Sequence, residues 1–324
     1  MREIKVEDAV GKILCHDVTQ IVRGVVKDAK FRKGHIITEA DIPELLKLGK
    51  ENIYVRENED DSKLHENDAA EILRQITQGE NLLAGEVKEG KIELKATCDG
   101  VFHVDAEKLN AINDVSEICI ATVQNKIPVR KNKSVAGMRV IPLVIDKAKM
   151  ARVKEIAGDV PLMKIAPYKK FKVGLVVTGS EIFHGRIEDT FTPVIESKLK
   201  TFGLQVDARR ISDDSKDMTR EKISELLNLG MEMILCTGGM SVDPDDRTPA
   251  AIKSTGASVV TYGVPVLPGA MFMLAYLDDV PIMGLPGCVM FCSKTVFDMI
   301  LPRILTGEKL TRRDFTTLGV GGLL

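Results

Sequence analysis

Apolar residues in the C-terminal half of the chain fall into two patterns that follow each other in turn. KVGLVVT (172–178) and MEMILCT (231–237) are nearly unbroken apolar runs of strand length. The segments between such runs space apolar residues three and four positions apart and end at glycines, for example Gly203 and Gly230. Strands that are apolar on both faces and alternate with helices are typical of a parallel sheet covered on both sides. We therefore predict an α/β fold with a three-layer α/β/α domain and a mostly parallel sheet over residues 166–324.

The first half of the chain has a different pattern, in which apolar and polar residues alternate over short runs. KIELKA (91–96) is one such run, and alternation is typical of strands with one buried face. ENDAAEILRQITQG (66–79) has instead the spacing of an amphipathic helix. The polar run ENEDDSK (57–63) is typical of a linker. We predict a small N-terminal α+β or β module over residues 1–60 and a small, mostly β domain over 61–165.

Composition excludes several classes of function. The chain has 324 residues, a formal net charge of −2 and no Trp. This charge gives no long-range attraction for nucleic acid or an anionic membrane, and few aromatic residues are present to stack on bases. The N-terminus has no apolar signal core, and no apolar run reaches the roughly 18 residues of a membrane span. The six Cys residues form no CxxC pair, which fits free thiols in a reducing cytoplasm. We expect a cytoplasmic protein that binds neither nucleic acid nor membrane.

Small residues follow four of the predicted strands at their carboxyl ends. These segments are Thr178-Gly179-Ser180, Ser212-Asp213-Asp214, Thr237-Gly238-Gly239 and Leu285-Pro286-Gly287. Ligands of open parallel sheets bind beyond the carboxyl ends of the strands. Glycine lets backbone N–H groups approach an anion, and a helix that starts nearby adds a favourable dipole. One such loop is usually only a turn, but several along one edge predict a phosphate site that needs little positive charge.

Three acids lie just before the N-terminus of the helix that is predicted to begin near Thr248. They are Asp243, Asp245 and Asp246. Such an acid can simply stabilise the helix N-terminus, and Asp213 or Asp214 can simply form a turn. Beside a bound phosphate, however, one or two carboxylates are the usual protein ligands of Mg²⁺. The residues alone leave both interpretations open.

The final apolar segment, CVMFCSKTVFDMILPRIL (288–305), predicts a helix that starts beside the last glycine loop. Cys288 and Cys292 are four residues apart and would share one face of that helix. As apolar core thiols they need no further role, whereas a thiolate ligand for a metal is the functional alternative. A thiol at a helix start is expected to have a lowered pKa.

Four motifs together resemble a known family. They are VVTGSEI, ISDD, CTGGMSVDPDDRTP and GLPG. Residues 172–305, which contain them, resemble the molybdopterin-binding domain shared by molybdopterin adenylyltransferases (MogA-like) and molybdopterin molybdenumtransferases (MoeA-like). The most specific part is TGG followed seven residues later by an acid and then by Arg-Thr-Pro. Residues 61–165 are loosely similar to SAF-type β domains, and the tail TRRDFTTLGVGGLL resembles segments of MoeA-like relatives.

The resemblance implies a MogA-like fold, a ligand and roles for individual residues. The ligand is molybdopterin or its adenylylated form, with Mg²⁺ as metal and ATP or AMP as a further ligand. Asp213 and Asp246 match the functional carboxylates of the family and are the predicted catalytic and Mg²⁺-binding residues. The predicted cofactor-binding residues are Thr178, Gly179, Ser180, Glu181, Thr237, Gly238, Gly239, Met240, Ser241, Pro286 and Gly287. Relatives commonly associate, so a homo-oligomer is expected, and a molybdoenzyme is the expected client.

Two loops depart from the MoeA pattern. Pro-Gly-Asn-Pro becomes PGCV at 286–289, and Pro-Gly-Lys becomes PGA at 268–270. An amide and a cation that could bind ligand are therefore missing. Three functions remain open: adenylyl transfer or molybdenum insertion, non-catalytic delivery of the cofactor to a molybdenum hydroxylase, and nucleotide pyrophosphate hydrolysis on the same fold. The sequence does not decide whether the protein is an enzyme.

Overall fold

The computed structural model of the protein describes residues 1–22, 24–56 and 61–323, and these divide into two compact units. One unit contains residues 1–98, 102–125 and 130–165, and the other contains 99–101, 126–129 and 166–324. Residues 57–60 of the predicted linker lie outside the described residues. The division of residues 1–165 into two domains stays a prediction.

Residues before 168 form short strands and helices. The strands are β1 (Arg2–Lys5), β2 (Val18–Val22), β3 (Val26–Phe31), β4 (Asn52–Val55), β5 (Lys63–His65), β6 (Leu82–Ala84), β7 (Lys91–Ala96), β8 (Gly100–Val104), β9 (Ile118–Thr122), β10 (Pro128–Val129), β11 (Ser134–Val140), β12 (Val144–Asp146) and β13 (Met163–Pro167). The helices are α1 (Asp41–Lys47), α2 (Glu66–Thr77), α3 (Ala106–Asn113) and α4 (Lys147–Ala157). Strands β6, β7, β11 and β9 form an antiparallel sheet in that order. Alternate residues of β7 are buried, as its sequence pattern predicts.

The C-terminal unit is built on one six-stranded sheet. Its strands are β14 (Val173–Thr178), β15 (Val206–Ser212), β16 (Met233–Thr237), β17 (Ser258–Tyr262), β18 (Met273–Leu277) and β19 (Val280–Leu285). Its helices are α5 (Ser180–Phe183), α6 (Phe191–Lys200), α7 (Lys216–Asn228), α8 (Thr248–Ser254), α9 (Val296–Leu305) and α10 (Arg312–Thr316). The strand order is β15-β14-β16-β19-β18-β17, in which β15, β14, β16 and β19 are parallel and β18 is antiparallel to both of its neighbours. The prediction of a mostly parallel sheet in an α/β fold is confirmed.

Apolar cores cover both faces of this sheet. Leu175 and Leu235 belong to a core that includes residues of α6 and α9. Val176 follows Leu175, and Ile234 precedes Leu235. Both belong to a second core with residues of α7 and α8. Because successive side chains of a strand point to opposite faces, a strand that feeds two cores must be apolar throughout. This explains the unbroken apolar runs and gives the unit its three layers.

The strand register brings the four predicted loops to one edge. Thr178 pairs with Ser212, Val177 with Thr237, and Thr237 in turn with Leu285. The parallel strands therefore end almost level with one another, and the chain leaves each of them on the same side of the unit. This edge is where the candidate site lies.

Two details of the sequence prediction are wrong. The final helix does not begin at Cys288, because residues Gly287–Met290 form a 3₁₀ turn and α9 begins only at Val296. Thr295 and Asp298 close a capping box there, which is the stronger start signal. Cys288 and Cys292 consequently do not share a helix face.

Among the described residues, no helix has both the length and the apolar character needed to cross a bilayer.

Candidate functional site

Buried hydroxyl groups form the base of the site. The Thr178 hydroxyl donates to the Thr237 carbonyl oxygen at 2.9 Å and lies 3.3 Å from the Thr248 hydroxyl. The Thr248 hydroxyl donates to the Gly238 carbonyl oxygen at 2.8 Å, and its amide donates to the Gly239 carbonyl oxygen at 3.1 Å. All three threonines are buried. These bonds join the ends of β14 and β16 to the start of α8 and hold the Gly238-Gly239 turn between them.

The turn itself requires two glycines. Gly238 and Gly239 both have positive φ, at +84° and +57°. A Cβ on Gly238 would lie 2.3 Å from the Thr178 carbonyl oxygen, and one on Gly239 would lie 2.9 Å from the Thr248 hydroxyl. Any other residue would therefore suffer both backbone strain and a steric clash. The close packing explains why a buried strand ends on Gly-Gly here.

A cleft of about 410 Å³ opens beside this turn. It is lined by Gly238, Gly239, Met240, Ser241, Asp246, Gly269, Ala270, Met271, Pro286, Gly287 and Cys288. The structure thus brings together Asp246 and the predicted residues of the third and fourth loops other than Thr237. Within the described part of the chain, neither the Gly239 amide nor the Gly287 amide donates to another residue. Two backbone donors of the cleft are therefore free to bind an anion.

The first loop lies on the next strand and does not line the cleft. The predicted residues that stay outside the lining are Thr178, Gly179, Ser180, Glu181, Asp213 and Thr237. The Gly179 amide donates to the Ser212 carbonyl oxygen at 3.1 Å, and the Ser180 amide donates to the Asp214 carboxylate at 2.9 Å. These bonds tie the first loop to the second. Asp214, rather than Asp213, supports the first loop.

Asp213 and Asp246 have different surroundings. One Asp213 carboxylate oxygen accepts from the Ser215 amide at 2.8 Å, as in a turn. One Asp246 oxygen accepts from the Asp243 amide at 2.9 Å, and the Asp246 amide donates back to the Asp243 carbonyl oxygen at 2.9 Å. Asp246 does not cap α8, which has no side-chain cap. Its position in the cleft leaves its second oxygen available to a ligand.

The acids provide few metal ligands. Within residues 1–22, 24–56 and 61–323, no three His, Cys, Asp or Glu side chains are grouped closely enough to hold a metal ion. Mg²⁺ that is shared with a phosphate needs only one or two protein carboxylates. Asp246 fits that requirement because it is a hard oxygen ligand that lines the cleft beside two free amides.

Cys288 and Ala270 line the cleft where the MoeA pattern has an amide and a cation. None of the described residues that line it is a lysine or an arginine. Burial raises the pKa of the Cys288 thiol, and the neighbouring Cys292 raises it further. The expectation of a lowered pKa is therefore wrong, because that expectation depended on a helix start that is not there. The cleft presents a neutral thiol, small residues and one carboxylate.

Sequence reasoning missed one residue beside the cleft. Tyr262, the last residue of β17, directs its hydroxyl group at the Met240 and Ser241 carbonyl oxygens, at 3.2 and 3.3 Å. Burial raises the pKa of Tyr262, and the charge of Asp246 raises it further. No motif marks this tyrosine, since it lies on a strand of ordinary composition, 22 residues from Met240 and 21 residues from Ser241 in the sequence.

Comparison with known proteins gives two family matches. A family described as a probable molybdopterin binding domain matches residues 174–306. A domain of unknown function matches residues 3–57. A molybdopterin molybdenumtransferase of Staphylococcus epidermidis is 28% identical over 131 residues, which are 38% of this chain and 31% of the relative. A Staphylococcus aureus molybdopterin molybdenumtransferase is 27% identical over 126 residues, 37% of this chain and 30% of the relative. The match therefore spans about a third of the length of these relatives.

Among solved structures, the molybdopterin biosynthesis enzyme MoaB of Thermus thermophilus is 20% identical with a TM-score of 0.35. The similarity covers 43% of this chain and 98% of that one. The MoeA protein of Pyrococcus horikoshii is 14% identical with a TM-score of 0.36, over 94% of this chain and 74% of that one. The glycine turn and the cleft both lie within residues 174–306, the region of this chain that matches the family described as a probable molybdopterin binding domain.

Proposed function

We propose that this chain binds molybdopterin, or its adenylylated form, in molybdenum cofactor biosynthesis. The observation that carries the proposal is the Gly238-Gly239 turn, which is packed against Thr178 and Thr248 at the edge where four parallel strands end. Such a turn holds backbone amides in place for a terminal phosphate. The family match of the same residues supports a pterin as the rest of the ligand.

On this proposal, backbone amides bind the phosphate and carboxylates bind the metal. The Gly239 and Gly287 amides donate to phosphate oxygens, and the threonine hydroxyls keep the turn in place beneath them. Asp246 would hold Mg²⁺, and Asp213, which follows β15 two strands away from β16 in the sheet, is the second predicted ligand. A bound Mg²⁺ would neutralise charge that develops on a phosphoryl group. The small residues that line the cleft leave room for a flat ring system.

A second candidate, non-catalytic delivery of the cofactor, is favoured by the residues that line the cleft. Metal insertion has to attract an oxyanion, and a cation beside the site would do so. Here Ala270 and Cys288 line the cleft, and Asp246 is the one charged side chain among the described residues that line it. A carrier must bind the pterin but does not need to bind molybdate. On this proposal a molybdoenzyme is the recipient, and self-association is expected from the family resemblance.

Two measurements test the proposal. Isothermal titration with molybdopterin and with ADP-ribose should show binding of the pterin alone. Preference for ADP-ribose would instead identify a nucleotide pyrophosphatase. The protein is then incubated with ATP, Mg²⁺ and molybdopterin, and in parallel with adenylylated molybdopterin and molybdate. Pyrophosphate in the first reaction shows adenylyl transfer, and AMP in the second shows molybdenum insertion. Tight pterin binding without either product shows a carrier, and absence of pterin binding refutes the proposal.

A further inference from the structure

The segment between the glycine turn and α8 has few attachments to the rest of the unit. Residues 241–245 are exposed, and Val242 has 83% of its surface accessible. The turn formed by Asp243 and Asp246 is closed by hydrogen bonds within itself, so those bonds fix its shape and not its position. Whatever places Asp246 at the cleft must therefore act at the two ends of the segment.

One end is held from α8, and the other is held at Met240. The Thr248 hydroxyl and amide bind the carbonyl groups of the glycine turn, as described above. Met240 is 3% exposed, and its sulfur atom packs so closely over β19 that a Cβ on Gly284 would lie 2.5 Å from it. The side chain of residue 240 is thus anchored in the core, but its backbone needs a separate partner.

Tyr262 supplies that partner. Its hydroxyl lies within hydrogen-bond distance of both the Met240 and the Ser241 carbonyl oxygens, so one donor is shared between two consecutive peptide groups. Its ring packs against the core on this face of the sheet, and the Lys253 ammonium lies 5.9 Å from the ring centroid. Because burial and the charge of Asp246 raise the pKa of Tyr262, the hydroxyl keeps its proton and remains a donor.

We propose that Tyr262 is a positioning residue, whose hydroxyl fixes the 240–246 segment and so places the Asp246 carboxylate at the cleft. The inference rests on the proposed function for the identity of the ligand. A purely structural hydroxyl is the alternative, in which case its loss lowers stability without a specific effect on Asp246.

The test uses Tyr262→Phe, which keeps the ring and removes the hydroxyl. Tyr276→Phe is the matched control, because Tyr276 lies on β18 of the same sheet and its hydroxyl accepts from the Leu310 amide, away from the cleft residues. We expect Tyr262→Phe to weaken Mg²⁺-dependent molybdopterin binding by about 3- to 10-fold, the effect of one lost hydrogen bond. Tyr276→Phe should lower the urea midpoint and leave binding unchanged.

A double-mutant cycle with Asp246→Asn shows whether Tyr262 acts through Asp246. If it does, Tyr262→Phe has little further effect on binding in the Asp246→Asn background. Equal effects in both backgrounds, or wild-type affinity in Tyr262→Phe, would overturn the inference.

Hydrogen exchange separates this inference from the proposed function. The backbone amides of residues 240–243 and 245–247 should exchange faster in Tyr262→Phe and at the wild-type rate in Tyr276→Phe, whether or not molybdopterin is the ligand. If the wild-type protein fails to bind molybdopterin, the proposed function fails while faster exchange still supports positioning. Unchanged exchange of this segment in Tyr262→Phe overturns positioning even if molybdopterin binds.

Discussion

Two groups of acids in the C-terminal unit have opposite surroundings. Asp314 and Glu308 are paired with Arg303, which is 4% exposed, and Lys126 reaches both carboxylates. Asp246, in contrast, receives its described hydrogen bond from a backbone amide and forms no ion pair within the described residues. A group that is fully satisfied by its neighbours has nothing left to offer a ligand, whereas Asp246 retains an oxygen at a cleft.

The comparison shows that acid content alone does not identify a site. Each group has acids a few residues apart next to a short helix, so the spacing of the acids alone does not distinguish the two groups. What differs is the presence of a buried cation that neutralises one group and the glycine turn beside the other. The predictions below test whether the first group serves stability and the second serves binding, beginning with the largest effect.

Removing the buried cation should cost the most stability. Arg303→Met keeps much of the side-chain volume but leaves Glu308 and Asp314 without their buried partner. Breaking a buried ion pair in this way typically costs about 3–5 kcal/mol. We expect a loss of that order in the free energy of unfolding, measured with urea, and no change in ligand affinity if the variant is folded. Arg152→Met, which breaks an exposed pair with Glu155, is the control and should have little effect. A similar loss in both variants would contradict the assignment.

A substitution in the glycine turn should also have a large effect, but on ligand affinity rather than on stability. Gly238→Ala would push a Cβ against the Thr178 carbonyl oxygen, so the turn has to move. We expect molybdopterin affinity to fall by about 100-fold or more, since the cradle for the phosphate is lost. Gly203→Ala is the control, because Gly203 also has positive φ, at +70°, but a Cβ there would meet no atom within 4 Å. Both variants suffer backbone strain, so only the clash separates them. Equal affinities would show that the turn does not bind the ligand.

Much of the C-terminal fold could be predicted from the sequence because burial on both faces forces apolar strands. Those strands, together with the glycines at their ends, indicated the sheet, its edge and the third and fourth loops of the cleft. β18 is less distinct, because Met273–Leu277 follows a loop without a helix before it and pairs antiparallel with its neighbours. Its methionines have no spacing that separates an added strand from core packing.

The parts that could not be predicted depend on contacts between distant residues. The start of α9 depends on the Thr295–Asp298 capping box, which the apolar run before it obscures. The Tyr262 hydroxyl meets the Met240 carbonyl oxygen because the fold places β17 at one edge of the sheet, far from Met240 in sequence. Which of Asp213 and Asp214 supports the first loop is likewise decided by the fold, since both lie in the same turn.

Asp246→Asn separates catalysis from binding. Asparagine retains an oxygen that can accept from the Asp243 amide, so the turn can keep its shape while the charge is lost. If the protein is an enzyme, turnover should fall by about 100-fold, and pterin binding should fall only a few-fold. Asp245→Asn, in the same exposed segment but outside the cleft lining, is the control and should change neither. An equal loss of turnover and binding would mean that Asp246 mainly shapes the pocket.

The smallest predicted effect is on the pH dependence of stability. Burial acts to raise the pKa of Asp314, but hydrogen bonds from Lys126, Arg303 and Thr311 outweigh it, so the pKa lies well below its usual range. A carboxyl with a lowered pKa stabilises the fold above its unfolded-state pKa of about 4, and that contribution is lost as pH falls below this value. Wild type should therefore lose more stability than Asp314→Asn between about pH 5 and pH 3, by about 1 kcal/mol in urea titrations. Parallel pH profiles for the two proteins would show that the ion-pair group adds no pH-dependent stability, and the contrast with Asp246 would then depend on the cleft alone.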